Sequence, residues 1–342
     1  MQKIISSEIV VAYSHCPRKA FLLASGEQGV DVEYANILTQ QKNFQKDKRM
    51  ESISPTEFAI QIDKVNNLKK HRDILANVNL RSEYFEANCD ILARVDKVSP
   101  SKKVGYEPTI FIGTHNVGQE HKLELAFVGH VLGKIEGQIP EKGTIVSTDG
   151  KSHGLKIKPL LKSLQKIVSP LQDWLSFPTS QPPPIILNKH CSVCEYQMQC
   201  RQIATEKDEL TLLSGLTEKE RKRQNNKGIF TVTQLSYTFR ARRKPKHLAS
   251  KPEKFSHALR ALAIREHKIY ITGKPKLNIK GKLVFLDVEG NPELDFYYLI
   301  GLRVMNEDSC VQHSFWANEK VDETECVNEL RHEISEFSHS WE

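Results

Sequence analysis

The chain has 342 residues, 39% hydrophobic and 27% charged, with a formal net charge of +7; that is the composition of a globular protein with room for two or three domains. Its charge is segregated: residues 201–282 hold 21 Lys and Arg against 7 Asp and Glu, and residues 283–342 hold 3 against 14, so a basic segment, suited to phosphate backbones or else a plain solvated face, precedes an acidic one. No stretch approaches 18 apolar residues, the first residues lack the apolar centre of a signal peptide, and seven cysteines suit a reducing compartment; the expectation is a cytoplasmic protein with no membrane partner and no disulfide framework.

Residues 1–25 read as one helix, capped by Ser6-Ser7-Glu8, with Ile9, Val10, Tyr13 and Phe21 on its stripe and Cys16 along it. Residues 55–64 and 80–98 read as strands, the second partly buried, followed by a strand over 106–113. A helix over 120–137 places Leu123, Phe127, Val131 and Ile135 on one face. A strand from 144 to 147 and a helix over 160–175 come next, and Pro182-Pro183-Pro184 forms a stiff connector. Beyond Leu210 the texture turns to short helices and basic turns, including Arg240, Arg242, Arg243 and Lys244. Around Leu213-Ser214-Gly215-Leu216 and Gly228-Ile229-Phe230-Thr231 the pattern reads as a helix-hairpin-helix turn, with N–H groups free to hold phosphate, or as an ordinary helix cap.

Four cysteines stand apart from the other three. Cys16 lies near the front, and Cys191, Cys194 and Cys200 follow about 175 residues later with C-x2-C-x5-C spacing. Four thiolates are what a 4Fe–4S cluster or a structural zinc requires, and the spacing lacks the two C-x2-C knuckles of a zinc ribbon. Buried free thiols are the third reading. The arrangement resembles the iron–sulfur staple of RecB-like nucleases, which implies a 4Fe–4S cluster held by Cys16, Cys191, Cys194 and Cys200, with zinc as the alternative.

The same resemblance implies a strand Asp, a Glu-x-Lys on the next strand and a Gln-x-x-x-Tyr helix. Asp90 fits the first position and Glu107 the second, while Thr109 stands where the lysine belongs. Glu124 falls about where the helix glutamine would be, and Lys122 is the nearest lysine able to replace the missing ammonium. In that family two carboxylates hold Mg²⁺ or Mn²⁺, and the lysine serves the attacking water. Pro108 beside Glu107 points to an edge strand or a bulge.

Downstream, Leu283-Val284-Phe285-Leu286-Asp287-Val288-Glu289-Gly290 reads as a buried strand with Asp287 and Glu289 on one face, because strand side chains alternate. With Phe296–Val304 as hairpin partner it resembles the first motif of RNase H-like 3′–5′ exonucleases, which implies a second metal pair. Strands near 283–288, 296–305 and 310–317 and a helix near 323–338 are too few for that fold, and no later pair of carboxylates completes the set. A C-terminal continuation or a helicase-type partner is therefore expected.

Together these readings predict an α/β protein in three segments. Residues 1–205 form a restriction-endonuclease-type core with the cysteine staple, 206–281 a basic helical connector, and 282–342 a partial RNase H-like domain. The expected activity is metal-dependent hydrolysis of DNA phosphodiesters, with RNA as the alternative substrate. A protein that binds nucleic acid without cutting it is the rival, since the strand lysine is missing.

Overall fold

The computed structural model describes residues 4–64, 68, 73–95, 105–176, 181–240, 256–271, 282–291, 296–306 and 309–339. The end of the strand expected to 98, and Arg242, Arg243 and Lys244, lie outside them. The protein is mixed α/β with a mixed sheet. It divides into two compact units, Met1–Ala35 with Ile167–Lys276 and Asn36–Lys166 with Leu277–Glu342. Each unit is discontinuous in sequence, whereas the sequence reading drew three consecutive segments.

The first unit opens with β1 (Ile5–Ser6), α1 (Ser7–His15) and α2 (Pro17–Ala24). Ser6 caps α1, its hydroxyl accepting the Ile9 N–H at 3.2 Å. The single helix expected over 1–25 is two helices, and Cys16 is the break, at φ −162° and ψ 118°. Pro17 explains this. It disfavours helical geometry in the residue before it, yet fits the first turn of the next helix.

The second unit begins its regular structure within α3 (Glu33–Ser52), followed by β2 (Glu57–Phe58), β3 (Gln61–Ile62), β4 (Ile74–Ser82), β5 (Phe85–Val95) and β6 (Gly105–Phe111). The strand expected over 80–98 is a hairpin of β4 and β5 turning at Glu83-Tyr84, with Glu83 in the left-handed region at φ 52°. Helix α4 (Gln119–Glu136) precedes β7 (Lys142–Val146), β8 (Ser152–Lys156) and α5 (Ile157–Ser176). Strands run in the order β2-β4-β5-β6-β7-β8, and β3 also pairs with β4.

Helix α4 buries Leu125, Phe127, Val128, Val131 and Leu132 as it packs across β4 to β7. Each large apolar side chain so buried contributes about 1.5–3 kcal/mol. Strand β6 is internal, antiparallel to β5 and parallel to β7, so Pro108 does not mark an edge. Its lack of an N–H is tolerated because the β7 ladder begins only at Thr109.

The first unit resumes at Ile167, within α5, and continues with a 3-10 turn over Lys189–Val193 and helices α6 (Gln197–Glu206), α7 (Glu218–Asn225), α8 (Val232–Ser236) and α9 (His257–Glu266). Leu210, Leu213, Val232, Leu235 and Ala261 form a small core of their own.

In the second unit β9 (Leu283–Asn291), β10 (Phe296–Met305) and β11 (Cys310–Trp316) form an antiparallel sheet in the order β11-β10-β9, followed by α10 (Glu323–His339). Strand β9 is not buried as its apolar run suggested: Phe285 and Leu286 are 53% and 56% exposed. It is an edge strand with β10 as its one partner among the described residues.

Candidate functional site

Among the described residues, the buried charged side chain lies on β5. Asp90 is 8% exposed, and its Oδ2 accepts the backbone N–H of Phe111 on β6 at 2.9 Å. Lys46 Nζ lies 2.9 Å from Oδ1 and Lys42 Nζ 3.4 Å from Oδ2. Both lysines belong to α3, one turn apart, so they project from the same face. In β4 the residue level with Asp90 is Asn77, in the left-handed region at φ 52°, a conformation asparagine tolerates better than most residues.

Glu124, from α4, is coupled to the same group. Burial pushes its carboxyl above the ordinary value; Lys42 pulls against that and the Asp90 charge adds to it. On Lys42 burial acts to lower the pKa, but the charges of Asp90 and Glu124 and the hydrogen bond to Asp90 outweigh it, so its ammonium is held above the usual range. Two carboxylates and two ammonium groups thus form one electrostatic cluster.

What positions α3 is partly a glycine. A Cβ on Gly113, just past β6, would stand 2.0 Å from the Leu38 carbonyl oxygen, so only glycine lets the helix backbone come this close. The Gln45 amide donates to the Thr148 carbonyl and ties the helix to the turn after β7. Near this contact, both amide atoms of Gln41 are buried with no hydrogen-bond partner among the described residues.

The other expected residues fall elsewhere. Glu107 stands opposite Ala93, three positions along β5 from Asp90, about 10 Å at the usual strand rise. Lys122 lies two residues from Glu124 on α4, and residues so spaced do not share a helix face. The second carboxylate coupled to Asp90 is Glu124, and its lysines are Lys42 and Lys46. Sequence reasoning passed over α3, and no motif marked it: that its lysines meet a buried Asp is set by packing between elements distant in the chain.

Asp287 and Glu289 are both exposed on β9. They stand level with Gly301 and Leu299 of β10, and strand alternation puts them on one face.

The cysteine quartet assembles within the first unit. Cys16, Cys191, Cys194 and Cys200 line one cavity together with Arg18, Lys19 and His190, and all four are free thiols of intermediate burial. Burial raises the Cys194 thiol against the pull of Lys19, and raises Cys200 against the charge and hydrogen bond of Arg18. Lys19 is fixed between Glu195 at 2.8 Å and the His190 ring at 3.4 Å, and His15 stacks on His190 with ring centroids 4.1 Å apart. The Asn188 N–H donates to Cys191 Sγ at 3.3 Å.

No three His, Cys, Asp or Glu groups among the described residues stand close enough together to hold a metal ion. The donor chemistry nevertheless fits a thiolate-bound centre. Four sulfurs share one cavity, and Arg18 and Lys19 beside it offset the negative charge that four thiolates bring.

The turn before α8 does not leave N–H groups free for phosphate. Val232 N–H bonds to the Asp208 carbonyl, Thr233 N–H to the Asp208 carboxylate at 2.8 Å, and Gln234 N–H to the Thr231 hydroxyl at 3.1 Å. Asp208 sits where an anion would bind, so the ordinary cap describes this turn. No helix among the described residues is long and apolar enough to cross a membrane. No family model matches the chain, and no curated protein matches it significantly.

Proposed function

We propose that the chain is a RecB-like nuclease that hydrolyses DNA phosphodiester bonds with a divalent cation. One observation carries this reading: buried Asp90 on β5, followed by β6 and then by α4 bearing Glu124, with Lys42 and Lys46 on the Asp90 carboxylate. The order of strand Asp, next strand and helix is that of the family. Asp90 and Glu124 supply the hard oxygen donors that Mg²⁺ or Mn²⁺ prefers. Bound there, the cation would polarise the phosphate and lower the pKa of water. The chain's own contribution is positional: Phe111 N–H orients Asp90, and the α3 ammonium groups attract the phosphate and offset its charge.

In this reading the cysteine cavity holds a 4Fe–4S cluster, with zinc as the alternative, and ties Cys16 to the trio far downstream. The segment 282–342 is read as the first part of an RNase H-like domain.

The second reading, a nucleic-acid binder that does not cut, draws on the same cluster, since two ammonium groups already neutralise two carboxylates. The test is cleavage of single- and double-stranded DNA, with RNA in parallel, by parent, Asp90→Asn and Glu124→Gln in Mn²⁺. Metal-dependent cleavage lost in both variants supports the nuclease. DNA binding by the parent with no cleavage assigns the chain to the second reading.

A further inference from the structure

Resting on the reading of Asp90 and Glu124 as cation ligands, we propose that Lys42 and Lys46 are a resident cation with which a divalent metal must compete for Asp90. Both oxygens of Asp90 are engaged, Oδ1 by Lys46 at 2.9 Å and Oδ2 by Lys42 at 3.4 Å and by the Phe111 N–H. A metal entering there meets two ammonium charges beside its first ligand, in a place where Asp90 is almost withdrawn from solvent and like charges are poorly screened. The helix that carries the lysines packs closely beside the strand: Gly113 admits the Leu38 carbonyl to the end of β6, and the Gln45 amide donates to the Thr148 carbonyl.

What releases Asp90 is another anion for the lysines. A phosphodiester has the charge and oxygens to draw both ammonium groups off the carboxylate. Metal and polyanion binding are then positively linked, each strengthening the other by the same factor.

The experiment is a Mn²⁺ titration followed by the electron paramagnetic resonance of free Mn²⁺. It uses the full chain as parent, as Lys46→Met, as Lys42→Met/Lys46→Met, as Lys46→Arg and as Asp90→Asn. The double methionine variant is expected to bind Mn²⁺ about tenfold tighter than the parent, within the ordinary range of coupling factors. Lys46→Arg keeps the charge and should match the parent, and Asp90→Asn should lose the site. If the double variant does not fold by circular dichroism, Lys46→Met alone carries the comparison, with a smaller gain. Equal or weaker binding in the lysine variants, with binding still lost in Asp90→Asn, overturns the competition but leaves the cation site standing. Absence of Mn²⁺ binding in every variant overturns both.

Discussion

Lys46 and Asp90 meet at 2.9 Å although they lie 44 positions apart in the chain. That contact decides what the centre on β5 can do, because it puts a cation from a preceding helix where sequence order looks for one on the following strand. Its first consequence concerns Gly113. A methyl group there collides with the Leu38 carbonyl, and overpacking of this kind typically costs about 1–3 kcal/mol. Gly113→Ala should lower the unfolding midpoint and, by displacing α3, weaken DNA cleavage. An unchanged melting curve in urea would show that α3 does not depend on this close approach.

Removal of a cysteine tests the second centre. Cys191→Ala and Cys16→Ala should each bleach anaerobically reconstituted protein and lower its stability, since the lost ligand unties two distant parts of one unit. Metal analysis reads the identity directly. Iron below about one atom per chain in the parent after reconstitution, where a full cluster needs four, rejects the cluster and favours zinc.

The lysine assignment separates residues that the sequence treats alike. Lys46→Met should lower cleavage sharply, whereas Lys122→Ala should leave it near the parent's rate, because α4 directs Lys122 away from the Glu124 face. Asp287→Asn and Glu289→Gln should also be tolerated: both residues are exposed on edge strand β9, and among the described residues no third His, Cys, Asp or Glu joins them to hold a metal. Loss of activity in Asp287→Asn would place the chemistry in the C-terminal sheet instead.

Nucleic-acid affinity should trace to exposed basic side chains rather than to helix N-termini. Lys219, Arg223 and Lys227 are exposed around α7, while the N–H groups opening α8 are already bonded to Asp208 and Thr231. Changing the three to Glu should weaken binding to all sequences and flatten the plot of log affinity against log salt by about 0.9 for each phosphate contact removed from a B-form duplex. An unaltered slope assigns them to plain solvated surface.

His130 gives the fold a pH dependence. Burial first, and then the Lys134 charge, hold its pKa below the ordinary 6.5. Between that lowered value and 6.5 the unfolded chain binds the proton that the folded chain refuses, so stability falls as pH drops through this window and rises again with pH. His130→Gln should remove this part of the slope in melting measurements between pH 5 and about 7.5. A slope as steep as the parent's would place its source in other groups.

Much of the fold was legible in the chain itself. The apolar periodicity of 120–137 matches α4, the strand read over 106–113 matches β6, and the runs after 283 match three strands and a helix, because local pattern decides which face of an element can be buried. The cysteine spacing picked out four residues that do line one cavity. Local rules also explain some departures, for Pro17 divides the first helix at Cys16 by sterics alone.

What only tertiary structure decided is which charges meet. Glu107 was placed by the motif order of the resemblance and Lys122 by nearness to Glu124 in sequence, but register puts Glu107 beside Ala93 and helix geometry turns Lys122 from Glu124. Lys42 and Lys46 carry no motif, and they matter because Gly113 admits α3 close to the strand end. Exposure of β9 likewise depends on its place at the edge of its sheet, which an apolar run cannot report. Composition and periodicity act over a few residues, whereas burial of a charge and the partner that neutralises it are set by packing between elements distant in the chain.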